Sequence, residues 1–179
     1  MAQITVNRAP FLTLWATVVA RRLGFAEEEA LSLAKAFTGL TAQSKAQRLG
    51  LSQPRPEVER ERIQAEREAK GAEYVEFLDR LIPMIRTEKG LQTLRGTSPI
   101  SLEGTRRYLA QKFGENLELV EKKLAETFEP IELPGSAMDL YMRIRPKVPE
   151  GKAGKGKEGI LDLAKIDALI ARCRVLKGG

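Results

Sequence analysis

Apolar side chains recur at intervals of three or four residues through most of the chain, which is the spacing of amphipathic helices. Pro10 suits the first turn of a helix, because its missing N–H costs little there. The apolar stripe that follows comprises Leu12, Trp15, Val19 and Leu23. Gly24 then predicts the end of this first helix.

Two further helices are predicted after Gly24. A second helix is expected over residues 26–37, with an apolar face made by Ala30, Leu33, Ala34 and Phe37. Gly39 is expected to break it, and a short third helix is expected over residues 41–49. The three helices would then pack around Trp15 and Phe37.

The next stretch is unusually charged. A helix is predicted to start at Pro56, and its first half is rich in Glu and Arg, so this half is expected to face solvent. The second half is expected to pack against the core, after a bend at Gly71. Its apolar stripe comprises Tyr74, Phe77, Leu78 and Leu81.

A change of period near residues 82–95 predicts a small β-hairpin. Apolar positions flank Glu88, Lys89 and Gly90, a turn-like stretch in which Gly90 can adopt a positive φ. Pro83 indicates that the first arm is an edge strand, because proline cannot donate to a sheet ladder. The alternative is that the preceding helix continues to Arg86.

The remaining pattern is helical apart from one loop. Ser101 is predicted to cap a helix that ends at Gly114, and two more helices are predicted over residues 117–128 and 137–145. Asp162 is predicted to cap the last helix. We therefore expect a mostly α fold, with a main helical domain over residues 1–145, a flexible basic loop over 146–159 and a docked C-terminal helix within 160–179.

Composition narrows the functional classes. The chain has 179 residues, 42% of them hydrophobic, which is enough for one domain with a core. It contains no histidine and a single cysteine, Cys173, which excludes zinc sites of the usual His and Cys type and the usual Ser–His and Cys–His nucleophile pairs. No cofactor or metal is expected. Without a membrane-spanning run or a secretory leader, we expect a soluble, cytoplasmic protein with no membrane partner.

The net charge of +6 is concentrated at the two ends of the sequence. Residues 1–50 hold six basic and three acidic side chains, and residues 136–179 hold ten and five. The middle of the chain is nearly balanced. A basic excess of this size is compatible with binding to nucleic acid.

Three stretches together resemble a family of small, mostly helical proteins of unknown function. They are "RAPFLTLWATVVARRLGF…ALSLAKAFTGLTAQSKAQRLG", "ISLEGTRRYLAQKFG" and "LYMRIRPKVPEG…KGKEGILDL". The resemblance implies a single folded unit. It implies no activity, and it assigns no catalytic residue.

The stretch over residues 18–37 has the rhythm of a DNA-reading helix-turn-helix, but its second helix would begin with Glu27, Glu28 and Glu29. Carboxylates at that position repel phosphates, whereas they stabilise the positive end of a helix dipole. We therefore interpret them as helix-starting residues. The predicted third helix remains a candidate reader, with Lys45 and Arg48 among its polar side chains. The favoured alternative is that the three helices only pack together.

Two other basic groups are candidates for phosphate contacts. Arg106 and Arg107 precede Tyr108 on a predicted helix, and the alternative is a solvated arginine pair beside a core tyrosine. The loop lysines form the densest basic run, and the alternative is a linker kept soluble by charge. These lysines include Lys152, Lys155 and Lys157.

Three functional hypotheses follow. The first is a non-enzymatic basic binding protein that contacts DNA through phosphates. The second is a protein-interaction module or a homo-oligomeric scaffold. The third is an enzyme of unrecognised type, which would have to work without histidine.

Overall fold

The structure is a computed structural model that describes residues 3–129, 135–148 and 158–178, with side chains up to residue 175. Helices dominate, as expected, and they are joined by two small antiparallel sheets. The elements in order are β1 (Gln3–Thr5), α1 (Arg8–Arg22), α2 (Glu27–Arg48), α3 (Glu57–Ala69), β2 (Glu73–Phe77), β3 (Arg80–Thr87), β4 (Gly90–Arg95), β5 (Ser98–Pro99), α4 (Leu102–Phe113), a 3-10 turn (Gly114–Asn116), α5 (Leu117–Ala125), α6 (Ala137–Ile144), β6 (Ile160–Asp162) and α7 (Leu163–Gly178).

Helix α1 forms the centre of the molecule. Every residue from Pro10 to Ala20 is buried, because α2, α4, α5 and α6 all pack against this helix. Trp15 is buried as predicted, but its ring contacts come from later in the chain. It meets the ring of Phe128 edge-on at 5.4 Å, and its indole N–H donates to the Ala137 carbonyl at 3.2 Å. Phe37 belongs to a different aromatic group, in which it packs edge-on against Phe77.

Helix α2 corrects the prediction of a break at Gly39. It is one continuous helix of 22 residues, so the predicted second and third helices are a single element. Glycine ends a helix well when it adopts a left-handed conformation, as Gly24 and Gly50 do with φ of +104° and +74°. Gly39 keeps a negative φ inside α2 and therefore does not end it. The arrangement is a helical hairpin rather than a tri-helical unit.

A four-stranded antiparallel sheet, ordered β2-β3-β4-β5, follows α3. The predicted hairpin is present as β3 and β4, but the packed helical half predicted after Gly71 is wrong. Gly71 has a φ of +84°, which ends the helical segment, and residues 73–77 form strand β2. The inward face of the sheet carries Phe77, Ile82 and Met84, all buried in the main core.

Pro83 does not lie on an edge strand, because β3 has β2 on one side and β4 on the other. Alternate residues of an antiparallel strand bond to opposite neighbours. Leu78 and Asp79 form a two-residue turn, so the backbones of Arg80, Ile82 and Met84 form hydrogen bonds with β2. The backbone of Pro83, which lies between them, therefore faces β4. The β3–β4 ladder stops at Met84, just before that position, so the missing N–H interrupts no pairing.

The β2–β3 turn consists of Leu78 and Asp79, with φ of +50° and +65°. Two positive φ values are typical of a type I′ turn, which favours Asn and Gly because other side chains are strained there. Asp79→Gly is therefore expected to raise the free energy of unfolding by about 0.5–1 kcal/mol. Urea unfolding measures this, with Asp139→Gly, inside α6, as the destabilising counterpart. A lower midpoint for Asp79→Gly would contradict the strained turn.

The two ends of the chain meet in the second sheet. Strand β1 pairs with β6, and Ile4 lies opposite Leu161. Asp162 caps α7 as predicted, because its Oδ1 accepts from the Ala164 N–H at 2.9 Å. Helix α7 packs on α5, α6 and β1. Residues 149–157, most of the predicted flexible loop, lie outside the described residues.

A buried polar contact joins the helices to the sheet. Ser32 on α2 and Thr93 on β4 are both fully buried. The Thr93 N–H donates to Ser32 Oγ at 2.6 Å, and Thr93 Oγ1 donates to the Ser32 carbonyl at 3.1 Å. In the part of the chain that is described, no helix is both long and apolar enough to cross a membrane.

Candidate nucleic-acid interface

The three glutamates at the start of α2 each have a structural partner. Glu29 accepts from the Ala26 N–H at 3.1 Å, which caps the helix. Glu27 forms an ion pair with Arg21 at 2.5 Å. Glu28 lies 3.5 Å from Arg106 of α4. The three carboxylates at this end of α2 therefore cap the helix or form surface ion pairs.

The opposite end of α2 is exposed. Buried residues stop at Phe37, and most residues in the last turns of the helix are exposed. Thr41, Ser44, Lys45 and Arg48 are spaced three, four and seven residues apart, so they share one face of the helix. Lys45 and Arg48 are exposed and form no ion pair with any described residue.

A third cation from the sheet joins this face. Arg80, the first residue of β3, donates from Nη1 to Ser44 Oγ at 3.3 Å. Its guanidinium also lies over the ring of Phe37, with 5.9 Å between the guanidinium carbon and the ring centroid. We call Ser44, Lys45, Arg48 and Arg80 the basic face of α2. No local pattern in the sequence indicates Arg80 as part of this face, because it is 36 residues from Ser44 along the chain.

A shallow hollow of about 260 Å³ adjoins the basic face. Phe37, Leu78 and Met138 give it an apolar wall, while Thr41, Asp79 and Arg80 supply polar groups. Thr41 Oγ1 is buried and has no hydrogen-bond partner among the described residues. The hollow therefore offers the Arg80 guanidinium next to the exposed end of α2.

Arg106 and Arg107 lie at a different place on the molecule. Arg106 is next to Glu28, which is 17 residues from Lys45 on α2. At 1.5 Å per residue, this separation is about 25 Å along the helix axis. Arg107 is exposed on α4, and the described residues give it no ion-pair partner. The arginine pair and the basic face therefore do not form one compact site. Lys152, Lys155 and Lys157 lie outside the described residues.

The tyrosine beside the arginine pair is partly buried. Lys35 of α2 places its ammonium 5.0 Å from the Tyr108 ring centroid, which is a cation–π contact. Burial raises the pKa of the Tyr108 hydroxyl above its ordinary value. Tyr108 therefore packs against α2 through Lys35, and its ring is half-buried.

No cluster suited to a metal ion is found within the described ranges, where no group of three or more acidic or cysteine side chains converges. No family model, curated protein or solved structure matches the chain. The resemblance to a family of small helical proteins therefore stays a prediction.

Proposed function

We propose that the protein binds nucleic acid through phosphate contacts made by the basic face of α2. The observation that carries the proposal is the Arg80–Ser44 hydrogen bond at 3.3 Å, which gathers a third cation beside Lys45 and Arg48. Two cations on the exposed end of α2, with a third beside them on β3, can match the spaced negative charges of a phosphate backbone. The exposed Ser44 hydroxyl is a suitable additional phosphate donor.

The acidic start of α2 does not oppose this binding. Glu27 and Glu28 are neutralised in part by Arg21 and Arg106. They also lie more than 20 Å from the basic face by the helix rise, roughly two to three Debye lengths at physiological salt. Phosphates held at Lys45 would therefore experience little repulsion from these carboxylates.

A duplex titration at two salt concentrations tests the proposal. If three phosphates are neutralised, log affinity should fall with log salt at a slope of about −2.7, which is about a 40-fold loss between 50 and 200 mM. The Lys45→Ala/Arg48→Ala variant should weaken binding to all sequences alike and reduce the slope to about −0.9. Arg80→Ala should reduce it by about one third.

The matched control removes two positive charges elsewhere. Lys165 and Arg172 are exposed on α7, which packs on α5, α6 and β1. Lys165→Ala/Arg172→Ala has the same net charge as the test variant but should keep a slope near that of the parent protein. Absence of binding at low salt would overturn the proposal. If both double variants weakened binding equally, binding would depend on the net charge of the protein, and the basic face would not be the binding site.

A further inference from the structure

Strand β2 lies at the free edge of the four-stranded sheet. Because Glu73, Val75 and Phe77 bond to β3, the backbone N–H and C=O groups of the residues between them point away from the sheet. These residues are Tyr74 and Glu76. Neither backbone forms a hydrogen bond with any other described residue. An edge with unpaired groups of this kind can accept an additional strand.

Carboxylates line this edge. Glu73, Glu76 and Asp79 are all exposed, and none of them has an ion-pair partner in the described part of the chain. Two exposed apolar side chains, Tyr74 and Leu81, lie on the outer face of β2 and β3 and are 41% and 66% exposed. An added strand would therefore meet negative charge and apolar surface together.

A second hollow, of about 220 Å³, lies at the end of β2. Leu23, Leu78 and Met138 supply apolar lining, and Glu76 and Asp79 lie at its border. Leu23 is 43% exposed although it is a large hydrophobic residue. The hollow is large enough for one apolar side chain from a strand that runs along β2.

We propose that the β2 edge binds an extended segment of a partner protein in which basic and apolar residues alternate. The outward groups of Tyr74 and Glu76 would bond to the partner's backbone, and the carboxylates would pair with its Lys or Arg side chains. The hollow would take an apolar side chain. This surface adjoins the basic face at Leu78 and Asp79, which line both hollows, and its charge has the opposite sign.

Charge also explains why the partner is not a second copy of β2. Antiparallel pairing of two β2 edges would bring two acidic edges together, with Glu76 of both copies on the same face of the joined sheet. Like charges opposite one another on paired strands are destabilising. A basic segment removes this repulsion, so charge complementarity favours a different partner.

The probe is a synthetic peptide, Lys-Val-Lys-Leu-Lys-Val-Lys with blocked ends and a fluorescent label. Anisotropy should show saturable binding to the protein, and the same peptide with Glu in place of Lys should bind at least tenfold more weakly. N-methylation of one of the amides that face β2 should also weaken binding by up to about tenfold, which is the effect of one lost backbone hydrogen bond. Equal affinity for the lysine and glutamate peptides would overturn the proposal.

Two variants place the peptide on the edge. Tyr74→Pro removes an outward N–H but leaves the β2–β3 ladder intact, because Tyr74 lies opposite Pro83 in a position that does not bond across the pair. It should bind the peptide about tenfold more weakly than Tyr74→Ala. If the two variants bound the peptide with equal affinity, the β2 edge would not be the binding site. Glu73→Gln/Glu76→Gln should weaken binding several-fold and reduce its salt dependence.

Hydrogen exchange and sedimentation supply independent outcomes. In the free protein, the Tyr74 and Glu76 amides should exchange rapidly, and the peptide should protect them. Slow exchange before peptide is added would mean that the edge is already covered, and a dimer that Tyr74→Pro dissociates would make a second copy the occupant. Either result would overturn the proposal. Lys45→Ala/Arg48→Ala should bind the peptide normally, so this test is independent of nucleic-acid binding.

Discussion

Trp15→Ala should lower the free energy of unfolding by about 3–5 kcal/mol. Trp15 is fully buried, packs edge-on against Phe128 at 5.4 Å and donates its indole N–H to the Ala137 carbonyl. Alanine would remove this packing and leave a cavity between α1 and the segments before and within α6. Domains of this size are stable by about 5–15 kcal/mol, so the loss is a large part of the total.

Urea unfolding followed by circular dichroism measures the effect without needing the tryptophan signal. Trp15→Phe keeps an aromatic ring and should cost less than the alanine variant, although it loses the hydrogen bond to Ala137. Val58→Ala is the surface control, because Val58 is 79% exposed on α3, and it should change stability by no more than about 0.5 kcal/mol. If Trp15→Ala lowered the free energy of unfolding by less than about 1 kcal/mol, Trp15 would not be a central residue of the core.

Elements with strong local signals could be predicted from the sequence. The apolar stripe after Pro10 and the positive φ of Gly24 locate α1. Both the spacing of the apolar residues and the end of the helix depend only on residues within or next to the helix. The capping residues Ser101 and Asp162 were also identified correctly, because a cap acts on an N–H only two or three residues away.

Glycine and strand assignments failed where distant contacts decide the conformation. Gly39 and Gly24 are the same residue type, yet only Gly24 adopts a positive φ. The stripe that includes Tyr74 and Phe77 fits helical spacing, but in strand β2 these two side chains lie on opposite faces. Its conformation is set by pairing with β3, and that pairing is not a property of residues 73–77 alone. The β1–β6 sheet joins opposite ends of the sequence, so no local pattern indicated it.

The basic face could be predicted only in part, because some of its residues are close in the sequence and one is distant. The helical spacing of Ser44, Lys45 and Arg48 is visible in the sequence, and their exposure follows from the apolar stripe ending at Phe37. The approach of Arg80 depends on how the sheet packs against α2, and no local signal marks it. The separation of Arg106 from Lys45 likewise depends on α2 being one long helix.

The contact between Ser32 and Thr93 is a buried polar link between α2 and the sheet. Three hydrogen bonds connect the two residues, including one between the hydroxyls at 2.9 Å. The Thr93 N–H has Ser32 Oγ as its acceptor, at 2.6 Å, and both residues are fully buried. Removing that acceptor therefore leaves a buried donor without a partner and without access to water.

Ser32→Ala should accordingly lower the free energy of unfolding by about 1–3 kcal/mol, as measured by urea unfolding. Ser44→Ala is the matched control, because it makes the same chemical change at an exposed position of the same helix and should cost no more than about 0.5 kcal/mol. Thr93→Val should cost less than Ser32→Ala, since Ser32 Oγ still accepts from the residue 93 N–H. If Thr93→Val were the more damaging change, the hydroxyl pair rather than the backbone donor would be the main link between α2 and the sheet.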